Sequence, residues 1–285
     1  MQTSEYPPGV LEKLQEREIE LLRVVSQLCE KHNLVYFIDS GTCLGAVRHG
    51  GFIPWDDDID IGMPFEDYVR FLELAPKHLP SGYTLHSCEN TPNFTALWTK
   101  VYIDGTRFED DNAVEAGAYQ GIFLDIFPYF QVDQNWFRGK LQLRGTEFWQ
   151  KLSYLKGFAH PHVPSQIRFR WILQGVFNVI HFLLKLVPQR FIFKWFCKTA
   201  KPRVASHSWY CAPGFGQLPM DESTLFPTRE IDFAGLRVQA PANVDVYLRA
   251  LYGDYMTLPP VSERRNHVPE ILDFGDGVNV MDSKF

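Results

Sequence analysis

Cysteine is scarce and scattered: Cys29, Cys43, Cys88, Cys197 and Cys211 are odd in number, and no two stand in a C-x-x-C spacing. That argues against a disulfide framework and against a zinc site, and it fits a reducing, cytoplasmic compartment. Basic charge is not in excess. With 28 Lys and Arg against 34 Asp and Glu, the net charge is −6, so the chain lacks the positive field that draws proteins onto nucleic acid, and no nucleic-acid partner is expected. Met1 to Gly9 hold no basic segment followed by an apolar stretch, and no signal peptide is read there. Internal repeats and low-complexity tracts are also lacking.

An uninterrupted run of roughly 18 apolar residues, as a membrane-spanning helix needs, is missing too. The most apolar stretch, 167–196, is broken by Gln174, Asn178, His181 and Lys185 and studded with Arg168, Arg170, Arg190 and Lys194. It has two readings: a buried core helix, or an interfacial helix resting on a membrane with its cations toward anionic headgroups. The second would place the protein peripherally at the inner face of a membrane.

What is present is a chain of 285 residues, 45% of them hydrophobic, long enough to bury a large core. Val10 to His32 carries Leu11, Leu14, Leu21, Leu22, Val25 and Leu28 at helical spacing, and Asn33 closes that helix. Leu34 to Ile38 reads as a buried strand, Gly41 to His49 as a turn and short helix ended by Gly50-Gly51, and Asp58 to Ile61 as a second strand with Pro64 opening the next helix. Further strands are predicted at 83–88, 96–103 and 122–127, helices over 135–157 and 165–200, a hairpin about Ala234-Gly235, and a helix capped by Asn243 and stopped by Gly253. The fold class is α/β (α+β), a mixed sheet with flanking helices and a mainly helical middle. The organisation predicted is a catalytic core over 1–130, a helical insertion over 131–220 that meets acceptor or membrane, and a 221–285 segment completing the core.

The chemistry concentrates in Asp56-Asp57-Asp58-Ile59-Asp60-Ile61. On a strand, residues i and i+2 share a face, so Asp58 and Asp60 would project together, with Cα atoms roughly 6.5–7 Å apart, while Ile59 and Ile61 enter the core. Such carboxylates raise one another's pKa and call for a cation, and hard oxygens favour Mg²⁺, with Mn²⁺ as the alternative. Asp56 and Asp57 read as turn or supporting residues. Asp125, inside the apolar run Gly121 to Pro128, needs a partner: a core hydrogen bond, or ligation of the same metal or activation of an acceptor. Arg48, His49 and Lys100 are candidate contacts to phosphate or acceptor, and so are Asp254, Tyr255, Arg264, Arg265 and His267 in a Pro- and aromatic-rich loop.

The run from Ser40 through Gly41-Thr42, Arg48-His49 and Asp58-Ile59-Asp60 to Met63 closely resembles the LicD family of phosphotransferases, which also takes in the fukutin-related proteins. The likeness extends through Gly121 to Pro128 and resumes over Tyr252 to Pro260, with Arg264, Arg265 and His267 following. It implies a nucleotidyltransferase-like fold in which Gly41 and Thr42 present backbone N–H groups to donor phosphates and Asp58 and Asp60 hold the metal. It also implies transfer of a phospho-alcohol, such as phosphocholine or ribitol phosphate, from a cytidine-diphosphate-linked donor to a glycan hydroxyl; the acceptor is expected to be a cell-surface glycan or its lipid-linked precursor. Two other readings stand beside this one: a nucleotidyltransferase moving a nucleoside monophosphate with the same metal geometry, and a non-enzymatic, cation-dependent glycan-binding module. Cys43 stands where the family pattern has an aliphatic residue and reads as packing.

Overall fold

The computed structural model describes residues 6–110, 114, 117–157, 170–213 and 218–282. Helix α1 spans Val10–His32 and buries Leu14, Leu21, Leu22 and Val25 along one stripe; Asn33 in the left-handed region ends it. Strand β1 is short, Phe37–Ile38, and α2 (Ser40–His49) begins directly after Asp39, so the expected turn at Gly41 is the first turn of the helix. Gly50, at φ 71°, terminates it. There follow β2 (Asp60–Pro64), α3 (Phe65–His78), β3 (Tyr83–His86), β4 (Thr99–Ile103), β5 (Arg107–Glu109) and the long β6 (Phe123–Asp133).

The middle is helical, as its composition predicts: α4 (Trp136–Gly157), α5 (Arg170–Lys185) and α6 (Gln189–Ala200). The expected start of the helix at Ser165 lies outside the described residues. The chain then returns as β7 (Ala205–Cys211) and β8 (Met220–Asp221), neither of which periodicity announced, followed by α7 (Glu222–Leu225). The predicted hairpin forms from β9 (Arg229–Phe233) and β10 (Leu236–Ala240), with Ala234 at φ 48° and Gly235 at φ 81° in the left-handed pair that a tight two-residue turn requires. Asn243 caps α8 (Val244–Tyr252) by accepting from the Val246 N–H, and β11 (Ile271–Asp273) pairs with β5.

One mixed sheet of seven strands organises the molecule, with β1-β2-β6-β4-β3 side by side and β7 on the far half of β6, carrying β8. Only β2 and β6 run parallel; the other pairs are antiparallel. The central β6 is buried along most of its length, which is why it reads as a continuous apolar run rather than as an alternation. The main core gathers around α1, β2, β4 and β6, and a smaller one (Phe130, Ile192, Phe196, Tyr210) holds α6 against the sheet.

Glycine is obligatory where α2 meets the segment that leaves it. A Cβ on Gly45 would stand 2.4 Å from the Gly51 carbonyl oxygen and 3.0 Å from the Ile53 nitrogen, backbone atoms that cannot swing aside. Gly45→Ala is therefore expected to destabilise the protein by about 1–3 kcal/mol through overpacking. Urea denaturation measures this, and a midpoint equal to that of the wild type would show that the approach of α2 to residues 51–53 is looser than described.

Candidate active site

The register of the sheet assembles the site. Asp60 on β2 faces Asp125 on β6, Asp125 faces Lys100 on β4, and Lys100 faces His86 on β3, so the four side chains form one row across one face. Asp58 lies just ahead of regular β2, where the parallel ladder is already formed: the Asp125 N–H donates to the Ile59 carbonyl at 2.9 Å. The extended strand expected from Asp58 thus becomes regular only at Asp60.

Each acid is held differently. Asp125 is buried and aimed by two donors, Trp98 Nε1 at 2.7 Å from Oδ1 and Lys100 Nζ at 3.1 Å from both oxygens. Lys100 also sits 3.3 Å from the centroid of the Phe123 ring, so it is the buried partner of Asp125. The Asp60 N–H donates to Thr42 Oγ1 at 2.9 Å, which makes the buried Thr42 hydroxyl the peg that sets the start of β2. Asp57, wholly buried, accepts from the Tyr6 hydroxyl at 2.7 Å and from the His267 N–H at 2.7 and 2.9 Å. His267 Nδ1 lies 3.2 Å from Asp57 and 3.5 Å from Asp58, so this tether brings an imidazole from the C-terminal loop to the acidic segment.

Negative charge outweighs positive here. Burial pushes the Asp58 carboxyl up to about 6; His267 opposes the shift while Asp57 and Asp125 add to it. Burial and then Asp58 and Asp125 hold Asp60 well above the usual carboxylate range, and burial with Asp58 and Asp57 does the same to Asp56. The hydrogen bond that the His267 ring donates to Asp57 raises its imidazole to about 9, which favours the imidazolium beside Asp58. Among the described residues, the group whose ligand atoms all fall within 4.8 Å of one another is Asp57, Asp58 and His267. Asp57 and His267 make that group an ion-pair cluster, and its carboxylate oxygens, each with a second lone pair, keep it a candidate for holding a cation as well. Among the described residues Asp60 makes no ion pair and Asp58 makes one, to His267, and this crowded set of hard oxygens fits a divalent cation.

Asp58, Asp125, Lys100 and His267 line a cavity of about 460 Å³, walled further by Trp98 and Tyr119. The remaining predicted residues divide into two groups. Gly41 opens α2 under Asp56, whose Oδ2 would lie 3.1 Å from a Cβ at that position. Arg48 donates to the Tyr255 carbonyl at 2.8 Å and to His49 Nε2 at 2.9 Å, and Arg264 stacks over Trp55 at 4.2 Å, so both fasten the C-terminal loop near the acidic run. Tyr255 is a buried clasp whose hydroxyl donates to Asp245. Asp254 and Arg265 bond within their own loop, to Thr257 and to the carbonyls of Ser262 and Arg264, and neither lines the cavity.

Three contributors escaped the sequence reading. Asp39 caps α2 and accepts from the hydroxyls of Tyr129, at 2.8 Å, and Tyr247, joining β6 and α8 to the helix that opens the site. An Asp-Ser pair ahead of a glycine is a capping signal that could have found it. Glu18, buried on the apolar stripe of α1, faces the same acids and is pushed well above its ordinary range by burial and by Asp58. Trp98 gave no signal. Cys43 is fully buried, in keeping with a packing role.

Residues 33–173 match the family model described as LicD/FKTN/FKRP, nucleotidyltransferase domain. The chain belongs to the LicD family. It is 26% identical over 272 residues to the lipopolysaccharide cholinephosphotransferase LicD of Haemophilus influenzae, covering 89% of this chain and 95% of that one. Over 124 residues it is 41% identical to the human ribitol 5-phosphate transferase FKRP, covering 44% of this chain and 22% of that protein. Over 135 residues it is 35% identical to the mouse ribitol-5-phosphate transferase FKTN, covering 46% and 25%. Membership of this LicD family makes the chain a transferase, and its acidic site fits the use of a divalent metal.

The raised His267 sets a sign for pH. A group bound more tightly to its proton in the folded state stabilises fully below its unfolded value, near 6.5, and that contribution is lost as pH rises through about 9. The wild-type urea midpoint should therefore fall between pH 6 and 9.5 by more than that of His267→Asn. Equal slopes for the two proteins would mean that the imidazolium does not anchor the loop.

Proposed function

We propose that this LicD-family transferase moves a phospho-alcohol, phosphocholine or a polyol phosphate, from a cytidine-diphosphate-linked donor to a hydroxyl of a glycan or of its lipid-linked precursor. The observation that carries the reading is the surplus of carboxylates where β2 meets β6: Asp58 and Asp60, with Asp125 in register beside them. Relatives named for cholinephosphate and ribitol 5-phosphate transfer support the class of group moved.

Mg²⁺, with Mn²⁺ as the alternative, would be held by Asp58 and Asp60 with Asp125 adjoining, and supplies charge neutralisation on the transferring and leaving oxygens. The chain's own residues do the rest. First-turn N–H groups at Gly41 and Thr42 are among the donors that a helix leaves without internal partners, and they face the donor diphosphate. Asp56 sits over Gly41, so a phosphate bound there would meet that carboxylate and need positive charge to offset the two. His267, protonated beside Asp58, adds positive charge on the cavity side. Trp98 and Lys100 fix the Asp125 carboxylate in the cavity wall, where it orients the acceptor hydroxyl by accepting its hydrogen bond. The acceptor oxygen attacks the phosphorus bearing the alcohol in line as its proton passes to Asp125, the phosphoanhydride bond breaks, and a nucleoside monophosphate leaves.

Asp58→Asn and Asp60→Asn should each cut turnover by roughly 100-fold or more, the usual scale for removing electrostatic stabilisation of developing charge. Both variants should melt no lower than wild type without metal, because each relieves like-charge crowding, and Mg²⁺ should raise the wild-type melting temperature but not theirs. Turnover at the wild-type rate in either variant would remove the assignment. Calorimetry with cytidine nucleotides should show binding heat that depends on Mg²⁺, and product analysis should show cytidine monophosphate with no pyrophosphate. Nucleotide attached to the acceptor would instead identify a nucleotidyltransferase.

A further inference from the structure

The helical part carries an apolar surface that the fold leaves uncovered. On α5 and at Leu186 just after it, Trp171, Val179, Phe182, Leu183 and Leu186 are 56–77% exposed, and among the residues of α5 whose burial is described Leu184 and His181 are the buried ones. The surface continues across ring contacts, from Phe191 to Trp195 on α6 and from Trp195 through Trp149 to Phe148 on α4. Patches of this extent on a folded chain mark a place where something docks.

Charge says what docks. Residues 148–220 contain ten of the chain's 28 Lys and Arg and none of its 34 Asp and Glu, a segment of +10 in a protein of net −6, leaving −16 for the remainder. Arg190, Lys194 and Lys198 stand exposed on α6, and Lys185 closes α5. Between the ends of α4 and α5 and the loop 91–95 lies a second cavity of about 500 Å³ lined by Lys156, His181, Lys185 and Gln189. Lys156 is lowered by burial and by neighbouring Lys185, as befits two ammonium groups sharing a space suited to an anion.

We infer that α5 and α6 form a peripheral docking surface for an anionic lipid bilayer, with the Lys156–Lys185 cavity at the level of the phosphate headgroups. Among the described residues no single helix is long and apolar enough to cross a membrane; α5 and α6 reach that length and apolarity only together, across a 100° bend, and the cations along them place the pair at the interface. Aromatic and aliphatic side chains enter the acyl boundary while the long cationic side chains reach back to the phosphates. A second copy of the chain is disfavoured as occupant, because a two-fold contact would set this largely cationic face, in which Glu89 borders Arg190 and Lys194, against itself. The loop 91–95 also borders the cavity that holds Asp125, so the surface would present a lipid-borne acceptor to the reacting side of the molecule.

Binding is read without turnover, so the result stands apart from the phosphotransfer reading. Full-length protein is sedimented with vesicles of phosphatidylcholine alone and with phosphatidylcholine containing phosphatidylglycerol, at low and high salt, and its tryptophan emission is followed. Binding to the anionic vesicles, weakened by salt and accompanied by a blue shift, is expected. The triple variant Arg190→Gln/Lys194→Gln/Lys198→Gln should partition about 100-fold more weakly, at about fivefold per cation. Phe182→Ser/Leu186→Ser, both exposed positions, should lose binding while keeping the wild-type circular dichroism. Failure of the wild type to sediment with anionic vesicles at low salt overturns the inference. So does binding by the variants at the wild-type level, or a dimer in sedimentation velocity that Phe182→Ser/Leu186→Ser abolishes.

Discussion

Carboxylates brought together faster than cations are the constraint around which this molecule is arranged. Asp56, Asp58 and Asp60 arrive on one segment, and the sheet places Asp125 in register with Asp60. Desolvation makes that crowding more costly, since the nearby charges are then screened by protein rather than by water. Among the described residues two cationic side chains make ion pairs with these acids, Lys100 with Asp125 and His267 with Asp57 and Asp58. A site so unbalanced is complementary to positive charge, which is the electrostatic condition for holding a divalent cation.

The scaffold holds these acids in place by hydrogen bonds rather than by apolar packing alone. Asp39 ties α2, β6 and α8 at one point through Tyr129 and Tyr247, and Thr42 pins the backbone of Asp60. Asp57 fastens Tyr6 near one end of the chain and His267 near the other. Three acids that look alike in sequence, Asp56, Asp57 and Asp58, therefore serve as a cover over a helix start, a structural anchor and a cavity-facing charge.

Much of this was legible beforehand. Helix α1, the α2 region, the α3 start at Pro64, the Ala234-Gly235 hairpin and the Asn243-capped helix followed from local signals: periodicity, caps and turn chemistry acting within a few residues. What escaped was non-local. Strand β7, with alternately half-exposed residues and no apolar run, is a strand because β6 offers it an edge. Asp39 was passed over because its partners lie 90 and 208 positions away, and Trp98 because its role exists only once β4 is laid beside β6. Lys100, a candidate contact to phosphate or acceptor from its sequence, is placed by register in a buried pair with Asp125. Asp254 and Arg265 show the converse: neighbours in sequence to useful residues, they are directed by local turn bonds elsewhere.

Asp133 at the end of β6 faces Ala205 at the start of β7, so the residues from 134 to 204 leave and rejoin the sheet at one stem. A segment closed at its stem can lengthen, shorten or be exchanged with little effect on the strands that carry it, since doubling a loop costs only about 0.6 kcal/mol of closure entropy. Because both ends of the excursion are fixed in neighbouring strands, a change of length within it leaves the register of Asp60, Asp125 and Lys100 as it is.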